Sequence, residues 1–223
     1  MCGIIGIAGN EPVSADIIKG LKKLEYRGYD SAGLAIFEND QIKQKKVQGK
    51  LSNLIKSLDD DFIEGSIGIG HTRWATHGVP SETNAHPHSS PLVSIVHNGI
   101  IENASDLKKE VEDSDYSFIS ETDSEVITAL LTSYLNQKVN HVDAVKKMVS
   151  KLKGSYALAI LFNDLKDTIV GVKNESPLVV GYGKSGYSIG SDSIALSSIA
   201  NKVCYLEDGD IVLIKNKNVE IIN

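Results

Sequence analysis

Cysteine, tryptophan and long apolar runs are scarce in this sequence. It has two cysteines and one tryptophan, and no stretch approaches the ~18 apolar residues of a transmembrane helix. The N-terminus lacks the basic and apolar segments of a secretory signal peptide. Two cysteines, Cys2 and Cys204, are too few for a disulfide framework, and we expect both to be reduced. Together these absences predict a cytoplasmic protein that makes no membrane contact.

Excess positive charge is also absent. The net charge of -6 argues against nucleic acid as a partner, because such binding depends on Lys and Arg neutralising phosphates. The basic run from Lys43 to Lys46 is typical of a solvated strand edge or turn. At 223 residues and 41% hydrophobic, the chain can bury a substantial core. Because it has no repeat, low-complexity tract or linker, we expect residues 1–223 to form a single domain.

The first two thirds of the sequence mix strand and helix patterns. Strands are predicted at "CGIIGIAG", "AGLAIF", "SIGIGHTRW" and "LVSIVHNG". Apolar residues at helical spacing predict a helix from about Ser14 to Leu24, with Ser14 as its N-cap. A helical pattern extends from about Asn103 to Leu152, and Gly154 is expected to end its last helix.

The last third reads as a series of short strands. They are predicted at "GSYALAILF", "DTIVGVK", "PLVVGY", "GYSIGS", "KVCYLE" and "DIVLIK". Strands joined by such tight turns must be largely antiparallel, because parallel neighbours need a crossover of a dozen or more residues. Cys204 lies in one of them and is expected to be a small buried residue. The pattern predicts an α+β protein with about ten strands in two packed antiparallel sheets and helices outside.

Cys2 is the first candidate for chemistry. If Met1 is removed, Cys2 carries a nucleophilic thiol and a free α-amine on one residue. The reference pKa of an α-amine, about 7.7–8.0, lies close to the ~8.5 of a thiol, so the amine can serve as base for the thiol. A cysteine at this position most often has no chemical role, and the motif alone leaves both interpretations open.

A second candidate region is "GHTRWATHGVPSETNAHPH", Gly70 to His88. Five of the six histidines lie in this region or at His97, which makes a zinc site one hypothesis, although no HExxH motif and no cysteine accompany them. Arg73 and Trp74 stand where a strand gives way to a polar loop. The arginine offers a planar fork for a carboxylate, and the tryptophan can cover a small ligand. The alternatives are a surface ion pair and a core position.

Two further signals follow in the sequence. Asn98 and Gly99 end an apolar strand, where the pair indicates either a turn or an oxyanion hole built from the Asn98 amide and the Gly99 N–H. Asp123 lies in "SETDSE", where it is either a helix cap or a carboxylate that pairs with a substrate ammonium. Each signal is weak when taken alone.

These motifs occur together in one family. Cys2 with "GIIGI", "LEYRGYDSAGLA", "HTRWATHG", "NAHPH", "HNGIIEN" and "SETDSEVI" resembles the glutaminase domain of glucosamine-6-phosphate synthases over the whole chain. The motifs "EYRGYDSAG" and "HTRWATHG" favour this family over the purine-pathway amidotransferases and asparagine synthetases. The resemblance implies a four-layer αββα sandwich, the N-terminal-nucleophile hydrolase fold, in agreement with the arrangement predicted from the strand pattern.

The resemblance also implies a role for each candidate residue. Cys2 attacks the side-chain amide of L-glutamine, Asn98 and Gly99 hold the oxyanion, and a γ-glutamyl thioester is hydrolysed to glutamate. The implied substrate-binding residues are Arg73 for the α-carboxylate, Asp123 for the α-ammonium, Thr76 and His77 in a closing loop from Thr72 to His77, Trp74 on the route by which ammonia leaves, and Arg27 and Gly28 beside the nucleophile. No cofactor and no metal is implied.

The implied acceptor of the ammonia is a sugar-phosphate isomerase domain, which makes glucosamine 6-phosphate from fructose 6-phosphate in a homo-oligomeric full-length enzyme. Residues 1–223 contain no such segment, so we expect either an excised domain or a free-standing glutaminase that supplies a separate partner. Two other classes stay open. A glutamine-sensing binding module gains weight if Met1 is retained, and a zinc hydrolase would use the histidines.

Overall fold

Two antiparallel sheets dominate the computed structural model, which describes residues 2–60, 62–111, 116–215 and 218–223. Met1, whose removal the nucleophile hypothesis requires, lies outside these residues. The first sheet contains, in spatial order, β11 (Lys202–Tyr205), β9 (Val179–Gly183), β10 (Gly186–Gly190), β1 (Gly3–Gly9), β4 (Ile67–Arg73), β2 (Ser31–Glu38) and β3 (Gln41–Gln48). The basic run lies on β3, an edge strand, as predicted.

The second sheet has six strands. In spatial order they are β13 (Asn218–Ile222), β12 (Ile211–Lys215), β8 (Thr168–Asn174), β7 (Gly154–Phe162), β6 (Val93–Ile101) and β5 (His88–Ser89). Every pairing within the described ranges is antiparallel. Both sheets therefore have the strand direction that the short connections predicted.

Helices cover the outer face of each sheet. Those on the first sheet are α1 (Ser14–Lys23), α2 (Leu51–Asp60) and α6 (Ser193–Leu196), and those on the second are α3 (Ala104–Glu110), α4 (Glu125–Asn136) and α5 (His141–Val149). Isoleucines, valines and alanines of both sheets fill the layer between them. The result is the expected four-layer αββα sandwich. Among the described residues, no helix is long and apolar enough to cross a bilayer.

The pairing of β1 with β4 brings distant parts of the sequence together. Gly3 lies opposite Thr72 in this register, so Cys2, which precedes β1, lies beside the end of β4. The next residues along the chain, Arg73 and Trp74, mark the point where β4 gives way to a loop. The carboxyl-terminal part of β6 faces the same region from the other sheet. Strand pairing and sheet packing thus assemble one site from three separate segments.

Several sequence-based expectations are wrong in detail. Ser14 is the first residue of α1 and not its N-cap, because its hydroxyl donates a hydrogen bond to the Ile63 carbonyl. Gly154 opens β7, whereas the last helix before it ends at Val149. The described residues contain thirteen strands, more than the ten expected, and α2 was not predicted. Cys204 is half-buried on the edge strand β11.

Candidate active site

The Cys2 thiol lies against the backbone of Trp74. The Trp74 N–H points at Sγ over 3.3 Å, and Sγ is 3.5 Å from the Trp74 carbonyl oxygen. Burial raises the pKa of the Cys2 thiol, while the Trp74 N–H and the positive charge of Arg73 act in the opposite direction. The thiol is therefore held in place at the end of β4 and needs a base to become a thiolate near neutral pH.

A small cavity of about 20 Å³ opens beside the thiol. Its lining residues are Cys2, Arg73, Trp74, Thr76, His86, His97, Gly99, Thr122, Asp123 and Ser124. Six of the residues predicted from the sequence are among them. Asn98 touches the same site through a hydrogen bond to Cys2, whereas His77, Arg27 and Gly28 lie outside the lining.

Arg73 is buried and only partly satisfied. Its Nη2 donates to the carbonyl oxygens of His77 and, over 3.2 Å, of Gly78. Its Nη1 has no hydrogen-bond partner among the described residues. A buried guanidinium with a free donor is suited to binding an anionic group. Because Thr72 and Arg73 belong to β4, the loop over the cavity begins at Trp74 and not at Thr72 as expected.

Asn98 and Gly99 lie within β6, which continues to Ile101, so the turn interpretation of this pair is wrong. The Asn98 side-chain Nδ2 donates to the carbonyl oxygen of Cys2 over 3.0 Å. Gly99 has φ +125°, and a Cβ at this position would overlap the Ser155 carbonyl. The strand therefore requires glycine here for conformational and steric reasons.

The Asp123 carboxylate binds a backbone N–H of β6 and does not cap a helix. Its Oδ2 accepts a hydrogen bond of 2.7 Å from the Ile101 N–H, and α4 begins two residues later with Ser124 as N-cap. The capping interpretation is therefore wrong. The other oxygen, Oδ1, lies 3.9 Å from Nδ1 of His77. His77 and Asp123 both line a neighbouring groove of about 270 Å³ next to the cavity.

Arg27 and Gly28 lie outside the cavity lining and have different contacts. Arg27 donates through Nη2 to the Asp192 carboxylate over 2.9 Å, and Tyr26 donates to the same oxygen. A Cβ on Gly28 would lie 2.6 Å from the Arg73 carbonyl carbon and 2.8 Å from the Trp74 nitrogen. Only glycine permits this close packing against the backbone that holds the thiol.

Asp30 was missed by the sequence analysis. Its carboxylate accepts a hydrogen bond from the Ala75 N–H, and its own N–H donates to the Arg73 carbonyl over 3.2 Å. These bonds fix the chain direction where β4 ends. The nearby Trp74 side chain is half-exposed and packs edge-on against Tyr29, with ring centroids 5.6 Å apart. The quoted motif "EYRGYDSAG" contains both Asp30 and Tyr29 and was the available signal.

Four histidines form a buried row beside the cavity, and two of them, His86 and His97, also line it. The ring centroids of His86 lie 4.2 Å from His71, 4.5 Å from His88 and 6.4 Å from His97. Burial lowers the pKa of His71 to about 3 and of His97 to about 4, and it holds those of His86 and His88 well below the usual value. All four rings are thus neutral at pH 7. In the described part of the chain, no group of three or more His, Cys, Asp or Glu side chains is arranged to hold a metal.

The segment that carries most of the cavity matches a known domain family. Residues 71–198 match the family described as "Glutamine amidotransferase domain". This match covers the end of β4, all of β6 and every lining residue except Cys2. The chain therefore belongs to the glutamine amidotransferase domain family.

Curated relatives carry a more specific name, glutamine–fructose-6-phosphate aminotransferase (isomerizing). The Mesorhizobium japonicum protein is 48% identical over 223 residues, covering 100% of this chain and 37% of its own length. The Caldanaerobacter subterraneus protein is 48% identical over 225 residues with the same coverage. The chain thus spans little more than a third of the length of these relatives.

Solved structures agree on the fold. Glutamine phosphoribosylpyrophosphate amidotransferase from B. subtilis, in complex with ADP and GMP, superimposes with a TM-score of 0.83 at 25% identity, over 100% of this chain and 49% of that chain. A glutamine aminotransferase class-II domain protein from Silicibacter pomeroyi gives a TM-score of 0.73 at 13% identity and is covered to 99%. These similarities confirm the predicted N-terminal-nucleophile type of sandwich.

Proposed function

We propose that this domain hydrolyses L-glutamine to L-glutamate and ammonia with Cys2 as nucleophile. The observation that carries the proposal is the placement of the Cys2 thiol in one cavity with Arg73, Gly99 and Asp123. The family of the domain and the name of its relatives support the choice of glutamine. Asn98, bonded to the Cys2 carbonyl, completes the set.

Recognition of glutamine uses its two charges. The free Nη1 of Arg73 is the proposed donor to the α-carboxylate, and the Oδ1 of Asp123 is the proposed partner of the α-ammonium. Simple amides lack one or both charges and would lose contacts worth about 1.5–3 kcal/mol each. Thr76 and His77 are proposed to complete the loop over bound glutamine, and Trp74 to border the exit of ammonia.

The cavity is smaller than its proposed substrate. A volume of about 20 Å³ holds about one water molecule. We propose that glutamine binding moves the segment from Thr76 to Gly78 away from the thiol and breaks the bonds from Arg73 to the carbonyls of His77 and Gly78. The Trp74 and Ala75 backbone stays bonded to Cys2 and Asp30. The substrate carboxylate then accepts from the free Nη1 of Arg73 and from the Nη2 that these carbonyls have left. Asp30, Arg27 and Gly28 then keep the nucleophile side of the site in place.

The proposed chemistry has two halves. The α-amine of Cys2 takes the thiol proton, Sγ bonds to the amide carbon, and the oxyanion accepts hydrogen bonds from the Asn98 amide and the Gly99 N–H. The carbon–nitrogen bond then breaks, and the nitrogen leaves as ammonia with the proton returned by the ammonium. Water adds to the thioester, the carbon–sulfur bond breaks, and glutamate and the thiol form. The amine is free only after removal of Met1.

We further propose that residues 1–223 act as one glutaminase domain within, or beside, a larger synthase. The relatives are named for amination of fructose 6-phosphate, and the chain covers 37% of their length. A sugar-phosphate isomerase domain is then the ammonia acceptor, and the product is glucosamine 6-phosphate. A homo-oligomer is proposed for that larger enzyme only. By itself, the domain is expected to release ammonia to solvent.

Glutamate release by the purified chain tests the function. Cys2→Ala is expected to lower the rate at least 1,000-fold, because no other thiol reaches the cavity lining. Cys204→Ala is the matched control, since Cys204 is equally half-buried but lies on edge strand β11. Equal rates for the two variants would contradict the proposal. Intact-mass measurement of the active protein should show loss of Met1, and full activity with Met1 retained would contradict the role of the α-amine.

A further inference from the structure

His71 has contacts that the proposed mechanism does not yet use. It lies on β4, is fully buried, and places its ring nitrogen Nε2 3.1 Å from Asn98 Oδ1 and 3.0 Å from the His97 carbonyl oxygen. Both neighbours of Nε2 are oxygen acceptors. His71 is therefore the residue that contacts the side of the Asn98 amide facing away from Cys2.

These contacts determine the orientation of the Asn98 amide. A carbonyl oxygen can only accept, so the bond to His97 requires a hydrogen on Nε2 of His71. The same N–H faces Asn98 Oδ1, while Asn98 Nδ2 faces the Cys2 carbonyl, another acceptor. A flipped amide would place two oxygens together at Cys2 and two donors together at His71. Only the unflipped amide pairs a donor with an acceptor both at His71 and at the Cys2 carbonyl.

We infer that His71 is a positioning residue that holds the Asn98 amide with its NH₂ group toward the nucleophile. The NH₂ group has two hydrogens. One is donated to the Cys2 carbonyl, and the second is available to an oxyanion on the amide carbon that Cys2 attacks. Rotation of the amide by a half turn would present an oxygen to that negative charge and repel it. This inference rests on the proposed function and deepens it.

The environment keeps His71 in the required form. Its ring is stacked on neutral His86, and Arg73 contributes an unfavourable positive charge to any protonated state. Burial lowers the pKa of His71 to about 3, so the ring is neutral over the whole working range of an enzyme. A neutral ring with hydrogen on Nε2 donates to Asn98 at constant strength. The orientation of the amide is thus independent of pH above about 4.

A pair of His71 variants and a double-mutant cycle test the inference. His71→Met keeps an apolar side chain of similar size but removes the donor, and it is expected to lower kcat 10- to 100-fold with little change in KM. His71→Gln keeps an N–H at the position of Nε2 and is expected to retain kcat within about threefold. In an Asn98→Ala background, His71→Met is expected to lower kcat less than twofold further, because both residues act through one donor.

His88→Met is the matched control for the cycle. His88 belongs to the same buried row but bonds to the Thr122 hydroxyl over 3.0 Å and not to Asn98, so its effect should be the same with and without Asn98. Additive effects of His71→Met and Asn98→Ala would overturn the inference, as would a His71→Gln variant as slow as His71→Met. The proposed function requires Asn98→Ala alone to be slower than the wild type. An Asn98→Ala variant with the wild-type rate would therefore contradict the proposed function and not only the role of His71.

A readout without turnover separates the two proposals completely. In ¹⁵N-resolved NMR spectra, the side-chain NH₂ signals of Asn98 are identified by their loss in Asn98→Ala. They are expected to shift in His71→Met and to keep nearly their wild-type positions in His71→Gln and His88→Met. Equal shifts in His71→Met and His88→Met would overturn the inference even if glutamine hydrolysis is confirmed.

Discussion

The two ends of β1 differ in size and in chemistry. At the Cys2 end lies a cavity of about 20 Å³, and at the Gly9 end, about 20 Å away at ~3.3 Å per strand residue, lies a groove of about 410 Å³. The groove runs between the connection to α1, strand β10 and the segment after α6. Its volume alone would favour it as the ligand site. The function proposed above places the ligand at the smaller cavity.

Unsatisfied buried groups distinguish these two ends. Near Cys2, the described residues include buried ring or guanidinium nitrogens without partners on His71, Arg73 and His86. No residue lining the large groove has such an atom in the described ranges, and Lys19 there is already paired with Asp16. Burying a polar group without a partner costs about 1–3 kcal/mol. A fold keeps such groups where a ligand or water completes them, so chemistry identifies the site better than volume.

Acidification should affect the Cys2 end most, and this is the largest effect we expect. Burial lowers the pKa of His71 to about 3 and of His97 to about 4, and it lowers those of His86 and His88 well below the usual ~6.5. Below pH 6.5 the unfolded chain binds protons that the folded chain excludes, so the free energy of unfolding falls. At pH 5 the loss is about 2 kcal/mol for each of His71 and His97, and His86 and His88 act in the same direction.

Urea unfolding at pH 7 and pH 5 measures this loss. His86→Met removes one histidine of the row and should make the difference in the free energy of unfolding between the two pH values smaller. Ser198→Trp, at the other end of β1, should leave the difference unchanged. A free energy of unfolding that is equal at the two pH values would show that the row is hydrated or protonated, and the contrast between the ends would then disappear.

A smaller effect should follow loss of the free guanidinium donor. Arg73→Met is expected to raise the KM for glutamine about 10- to 100-fold, because a charge-assisted contact is worth about 1.5–3 kcal/mol, with a smaller change in kcat. Steady-state kinetics with glutamine and with 4-aminobutanamide, which lacks the α-carboxylate, provide the measurement. The wild-type preference for glutamine should shrink by the same factor in the variant. An unchanged preference would refute the carboxylate role of Arg73.

The sequence predicted the layers better than the contacts of the site. Short turns required antiparallel strands, apolar spacing placed α1 correctly, and the helical pattern from about Asn103 to Leu152 contains α3, α4 and α5. The proximity of Cys2 to Trp74 depends on the pairing of Gly3 with Thr72, and register between strands so distant in sequence is decided by packing of both sheets.

Local rules failed where tertiary contacts competed with them. Ser14 looked like a cap, but the Ile63 carbonyl takes its hydroxyl. Asn98 and Gly99 looked like a turn, but β7 pairs with β6 through both residues. The sequence offered a zinc site as one hypothesis for the histidines, and it did not show that four of them share one buried row. Their burial comes from the packing of the two sheets on each other, which no local pattern in the sequence contains.

Filling the large groove should have the smallest effect and provides the sharpest test of the contrast. Ser198 is exposed on the groove lining, so Ser198→Trp places a large ring in the 410 Å³ space without disturbing the core. We expect the free energy of unfolding to change by less than about 0.5 kcal/mol and kcat/KM for glutamine to stay within twofold. A rise in KM comparable to that of Arg73→Met would mean that the groove communicates with the Cys2 end through β1. The large groove would then contribute to glutamine binding, and the assignment of the site by buried unpaired groups alone would be wrong.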